Sequence, residues 1–174
     1  MFSVCFMPLT PLHLGPALVF GLPLRKWLHL PTFLLASIAI DVEPLIVLVL
    51  KLNYPLHGYL HTFLFAIPYG VAVSYVMMCI ERFLNPLYTA LLLEERSRSL
   101  TKESFLLAGL IGVLSHVLLD SPLYEDIRPF YPLDVNPLHN PSLALLIYSF
   151  CIWTLLVGFL LYLSLWLKAI VRRC

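Results

Sequence analysis

Charge is scarce in this chain: Lys, Arg, Asp and Glu together make up 12% of 174 residues. Soluble domains carry about twice that share. With 60% hydrophobic residues and a mean hydropathy of +0.90, the composition instead fits a chain dissolved in a bilayer. The basic residues are scattered and the net charge is only +1, which removes the electrostatic footprint of a nucleic-acid partner. Cysteine clusters are also lacking. Cys5, Cys79, Cys151 and Cys174 lie far apart and form no CxxC pair, which excludes a thiolate zinc site and a disulfide framework. No stretch alternates with period two, so strands fit poorly, and no internal repeat is present. The N-terminus lacks the basic start and the small-residue cleavage site of a signal peptide, so residues 1 to 24 are expected to stay in the mature fold.

What the chain has is long apolar runs, at about residues 12–24, 31–51, 60–81, 104–120 and 142–168. A helix needs about 20 residues to cross the hydrocarbon core. The last four runs reach that length, the fourth with a small extension. The first is short, and Pro8, Pro11, Gly15, Pro16 and Pro23 make residues 1–24 a broken or tilted segment. The expected fold is all-α: an integral membrane helical bundle of four full transmembrane helices plus a short broken N-terminal helix, forming a single membrane domain over 1–174.

Lys and Arg fix the expected orientation. Arg25 and Lys26, then Arg82, Arg96, Arg98 and Lys102, then Lys168, Arg172 and Arg173 all fall on one side if the four long runs cross, and the positive-inside rule makes that side cytoplasmic. Residues 81–103 are then a cytoplasmic loop with a short interfacial helix. The loop at 121–141 faces the extracytoplasmic side. Aromatic residues at run ends, such as Tyr124, Phe130, Tyr131 and Trp166, fit interface belts.

The polar residues of the apolar runs carry the chemistry. HGYLHTF, residues 57–63, sets His57 and His61 four apart, and SHVLLD does the same for His116 and Asp120. On a helix that spacing returns both side chains to one face, where two of them can hold one ion. Asp41 sits near the middle of the second run, where an ionised carboxylate costs about 2.5 to 3.5 kcal/mol unless compensated. PLTPLHLGP adds His13. Residues two apart on a regular helix point to nearly opposite faces, so Asp41 and Glu43 share a site only if Pro44 distorts the helix. His29 falls on the cytoplasmic side and reads as an interfacial hydrogen-bonding residue. His139, in NPLHNPS, reads as structural. Imidazole and carboxylate without thiolate suit a divalent metal, zinc by default, with manganese or iron as alternatives.

The order of these motifs, PLTPLHLGP, ASIAIDVEP, HGYLHTF, then GLIGVLSHVLLDS followed by IRPFYPL, resembles the prokaryotic membrane-bound metal-dependent hydrolases over most of residues 8–139. More distantly, the HxxxD element is similar to one in zinc-dependent phospholipase C proteins. The resemblance implies that His13, Asp41, His61, His116 and Asp120 are metal-site residues in a prokaryotic cell-membrane protein, with His57 the sixth candidate.

Together these readings point to hydrolysis of a phosphoester or related ester in a membrane lipid or lipid-linked substrate, at a site toward the extracytoplasmic face. Glu43 is expected to act in catalysis, as ligand or base. Arg128 is expected to clamp the substrate anion, because a guanidinium matches phosphate geometry; its alternative is an ion pair with Asp126 or Glu125. Two other classes compete. A transporter or ion conduit would use the same groups as a relay spread through the membrane's depth, with Asp41 the deepest. A structural protein would use them only to join helices.

Overall fold

The computed structural model describes residues 11–91, 93 and 101–171. Among them the structure is an all-α bundle: α1 (Leu14–Leu24), α2 (Leu30–Ala39), α3 (Val42–Leu50), α4 (Phe63–Ala90), α5 (Lys102–Asp120) and α6 (Ala144–Val171), with no strand. Four stretches are long and apolar enough to cross a membrane: Leu30–Leu50, which combines α2 and α3, then Phe63–Ala90, Lys102–Asp120 and Pro141–Val171. The short α1 precedes them and carries Pro16 and Pro23, as its proline-rich sequence requires. Large apolar side chains face outward along the spans, for example Phe83, Leu145 and Trp153, as they do where the solvent is lipid.

Helix α5 is the central element, and small residues let its neighbours approach. A Cβ added at Gly112 would lie 2.6 Å from the Ala36 Cβ and 3.0 Å from the Phe33 carbonyl oxygen, and one at Gly70 would lie 3.1 Å from the Gly109 carbonyl oxygen. In a bilayer, where burial of apolar surface drives little association, such close packing is a main source of helix affinity. The pairings also fix direction. The His29 N–H donates to the Ser104 carbonyl at 3.2 Å, Ala36 meets Gly112, and the Ser37 carbonyl meets His116, so α2 runs parallel to α5 and in step with it. Helix α4 runs the other way, with Ser74 donating to the Phe105 carbonyl at 2.9 Å. Helix α1 packs on α2 and α6.

Two elements differ from the sequence expectation. Helix α4 runs to Ala90, so residues 81–90 of the expected cytoplasmic loop are helix; Glu81 is drawn into the bundle, its Oε2 3.2 Å from His29 Nε2. Of the segment 81–103 in which a short interfacial helix is expected, residue 92 and residues 94–100 lie outside the described ones. The second difference is in the long run 31–51, which is two helices separated at Ile40 and Asp41. Pro44 has no N–H to offer the Ile40 carbonyl. The Glu43 N–H takes that acceptor instead, at 3.1 Å, and the Asp41 N–H goes to Ile38 at 3.2 Å. The chain tightens locally and turns at Asp41.

Candidate metal centre

The break in the second run determines where Asp41 lies. Because α2 keeps step with α5, the turn brings Asp41 to the level of His116 and Asp120 in the last turns of α5, with Oδ1 of Asp41 3.3 Å from His116 Nε2. Asp41 is therefore no deeper than its partners. His116 and Asp120 share a helix face as their spacing predicts, with Nε2 and Oδ2 3.2 Å apart. His61 arrives from the turn just before α4. Asp41, His61, His116 and Asp120 are all buried, and one ligand atom from each lies within 4.8 Å of all the others. This buried group could bind a metal ion.

His57 and His61 do come together, with ring centroids 4.8 Å apart, but not along a helix. Helix α4 starts only at Phe63, where Thr62 caps it by accepting the Phe65 N–H at 3.2 Å. His61 ends a 3-10 turn, Tyr59–His61, and His57 lies before that turn in a loop. The correction has a local cause: Pro55 and Gly58 interrupt the stretch where a helical register would have to begin.

The outward nitrogens reveal how the rings are held. His116 Nδ1 donates to the Ser37 carbonyl at 2.7 Å, His61 Nδ1 to Glu43 Oε2 at 3.1 Å, and His57 Nδ1 to Asp126 Oδ1 at 2.9 Å. Each neutral ring held this way turns the lone pair of its Nε2 inward. For His116 the consequence is specific. Its Nε2 faces the oxygens of Asp41 and Asp120, at 3.3 and 3.2 Å, an arrangement that is favourable with either a proton on that nitrogen or a cation among the three groups. Nε2 of His57, His61 and His116 and Oδ1 of Asp41 are buried with no hydrogen-bond partner. Buried polar atoms are nearly always satisfied, so these converging atoms call for a proton or a further group among them. The donor set of two imidazoles and two carboxylates fits a divalent cation. Burial also lowers the pKa of His61, against the opposing pull of Glu43, which keeps the ring neutral as a ligand must be.

The other expected residues stand around this group. His13, from the turn before α1, is buried with Nε2 3.0 Å from Asp120 Oδ1, and its ring lies 4.2 Å from that of His116. Glu43 stands behind His61. It also accepts the N–H groups of Gly58 and Leu60, each at 3.1 Å, so its carboxylate pins the loop that delivers both loop histidines. Arg128 pairs with Asp134, at 2.7 Å, and donates to the Glu125 carbonyl at 2.9 Å; its ion-pair partner is neither Asp126 nor the Glu125 side chain. His29 and His139 lie outside the four-residue group.

Sequence reasoning missed Asp126 as a partner of His57. The two are 69 residues apart, and the carboxylate takes both the His57 ring N–H and its backbone N–H, the latter at 3.0 Å. It missed too that Tyr54, Tyr59 and Tyr131 join His57, Asp126 and Arg128 around a cavity of about 330 Å³ beside the cluster. No spacing rule links these residues; only the fold of the 121–140 loop does. That loop is tied back by Asn136, whose Nδ2 donates to the carbonyls of Ser121 and Tyr124, and by the Phe63 N–H bond to Pro129.

The chain belongs to the family described as a domain of unknown function, DUF4184, which matches residues 7–126 and so contains the whole cluster from His13 to Asp126. No curated protein matches the chain. No solved structure matches it either.

Proposed function

We propose that this member of the DUF4184 family is a membrane-embedded, metal-dependent hydrolase that cleaves a phosphoester or related ester of a lipid or lipid-linked substrate. Zinc is the favoured ion, with manganese or iron as alternatives. The observation that carries the reading is the convergence of Asp41, His61, His116 and Asp120, one ligand atom from each within 4.8 Å of the others, at one level of the bundle. When bound there, a divalent cation supplies Lewis acidity, polarising the ester and lowering the pKa of water.

The chain's own groups have distinct parts. Glu43, Asp126 and the Ser37 carbonyl orient the three histidines, so Glu43 is a positioning residue. His13 holds the second oxygen of Asp120. Arg128 lines the neighbouring cavity and would exchange Asp134, whose side chain is 91% exposed, for a substrate anion. The Lys and Arg distribution supports a site facing the extracytoplasmic side.

A conduit fits less well. A relay needs polar groups through the depth of the membrane, whereas below the cluster the bundle is closed by Ala36, Ala66, Val113 and Val117, all with no exposed surface. The His29 and Glu81 pair lies beyond this apolar layer, near the start of α5.

The test is turnover by purified, metal-loaded protein on a panel of phospholipids and lipid phosphates. Cleavage abolished by chelation and restored by zinc is expected. Absence of cleavage together with metal-ion or proton movement across liposomes would replace this reading with the conduit.

A further inference from the structure

A second cavity, of about 300 Å³, lies against α3 and is bounded by Val42, Ile46, Val47, Leu52 and Leu60. Glu43 and Tyr54 complete it, and Tyr54 also lines the polar cavity beside His57. One tyrosine thus separates an apolar groove from a chamber that carries charged and hydroxyl groups. Each is near the lower end of the ~300–1,000 Å³ range of ligand pockets. The helix that forms the groove presents most of its surface outward. Helix α3 buries only Pro44 and Val47 and leaves Leu45, Ile46, Leu48, Val49 and Leu50 exposed, so its outer surface is open to lipid.

We propose that the groove on α3 receives the acyl chain of the substrate lipid while its polar head occupies the tyrosine-walled chamber, so that the lipid reaches the metal cluster sideways from the bilayer. This rests on the lipid-hydrolase reading and adds its route and its substrate geometry. Moving an acyl chain from bilayer to apolar groove changes its surroundings little. Passing it through water would cost about 0.8 kcal/mol for each methylene. The chamber supplies what the head needs: the Arg128 guanidinium, tyrosine hydroxyls and an open side. Glu43 joins the two halves, because it lines the groove and holds His61.

The experiment uses the full chain in phosphatidylcholine nanodiscs and phosphatidic acid carrying a diazirine midway along one acyl chain. Photolabelling is mapped by mass spectrometry. Label is expected on residues 42–60, reduced by excess dioctanoyl phosphatidic acid and lowered about tenfold by Ile46→Trp, equivalent to about 1.4 kcal/mol of lost affinity. Ile46 is 45% exposed, so the larger ring is tolerated by the fold. Label spread evenly over the outer faces of α4 and α6 and unchanged by Ile46→Trp would overturn the proposal, as would crosslinking of α3 to a second copy of the chain. The readout needs no turnover. Specific labelling without hydrolysis would therefore leave the groove standing and count against the hydrolase reading alone.

Discussion

Oε2 of Glu43 lies 3.1 Å from Nδ1 of His61, while the same carboxylate accepts the backbone N–H groups of Gly58 and Leu60. One side chain from the start of α3 therefore sets both the ring orientation of a candidate ligand and the loop that carries it. Substituting Glu43→Gln keeps the size but replaces the carboxylate with a neutral, weaker acceptor for the ring N–H. Metal affinity, read by competition with a chromogenic chelator, should fall about 10- to 100-fold, the usual effect of losing a ligand's outer partner. Unchanged affinity would remove Glu43 from the site.

The step between α2 and α5 depends on Gly112, where an added Cβ would lie 2.6 Å from the Ala36 Cβ. Gly112→Ala should push α2 away and carry Asp41 off His116. A loss of about 1–3 kcal/mol in stability is expected, together with weaker metal binding. Leu118→Ala, at a site 56% exposed, should leave metal binding unchanged. Thermal melts in detergent and the same chelator competition separate the two.

Asp126 gives a pH signature. Burial works to raise its pKa, but its bonds to His57 outweigh that and hold it below the usual value of 3.8. A depressed folded pKa means that the stabilisation is present above the unfolded value and is lost as pH falls through the folded one. Half exposure makes the effect small. In metal-free protein, melts from about pH 7 down to about pH 3 should show the native chain losing an increment on the acid side that Asp126→Asn lacks. Parallel acid limbs would contradict the pairing.

Sidedness follows from the basic residues. In a background without Cys5, Cys79, Cys151 and Cys174, Glu125→Cys should react with an impermeant maleimide from outside the cell, and Lys26→Cys only after permeabilisation. The reverse pattern would invert the topology and turn the site to the cytoplasm.

How much of this was legible in the sequence depends on the range of the interaction. His116 and Asp120 were legible because a helical spacing of four is a local fact, and α5 is a regular helix. Four long apolar stretches were legible for the same reason. The level of Asp41 was not. Counting along an unbroken helix places it mid-membrane, whereas Pro44 breaks the run and parallel packing on α5 carries Asp41 to the end of the bundle. A distortion at Pro44 was the condition for Asp41 and Glu43 to share a site; it occurs, and Glu43 stands on the far side of His61. The His57 and His61 pair shows the opposite error: the proximity is real and the helix between them is not. Asp126 and the tyrosine chamber rest on contacts across tens of residues, for which a single sequence carries no local signal.

The central claim is that Asp41, His61, His116 and Asp120 hold one divalent ion, and elemental analysis of the purified chain tests it most directly. The account predicts about one ion per chain in the native protein, with zinc absorption spectra showing nitrogen and oxygen ligands at about 2.0–2.2 Å and no sulfur. It also predicts loss of that ion in a folded His116→Ala, Asp120→Ala double variant. A native protein that takes up no ion, or a double variant that keeps a full one, would contradict it.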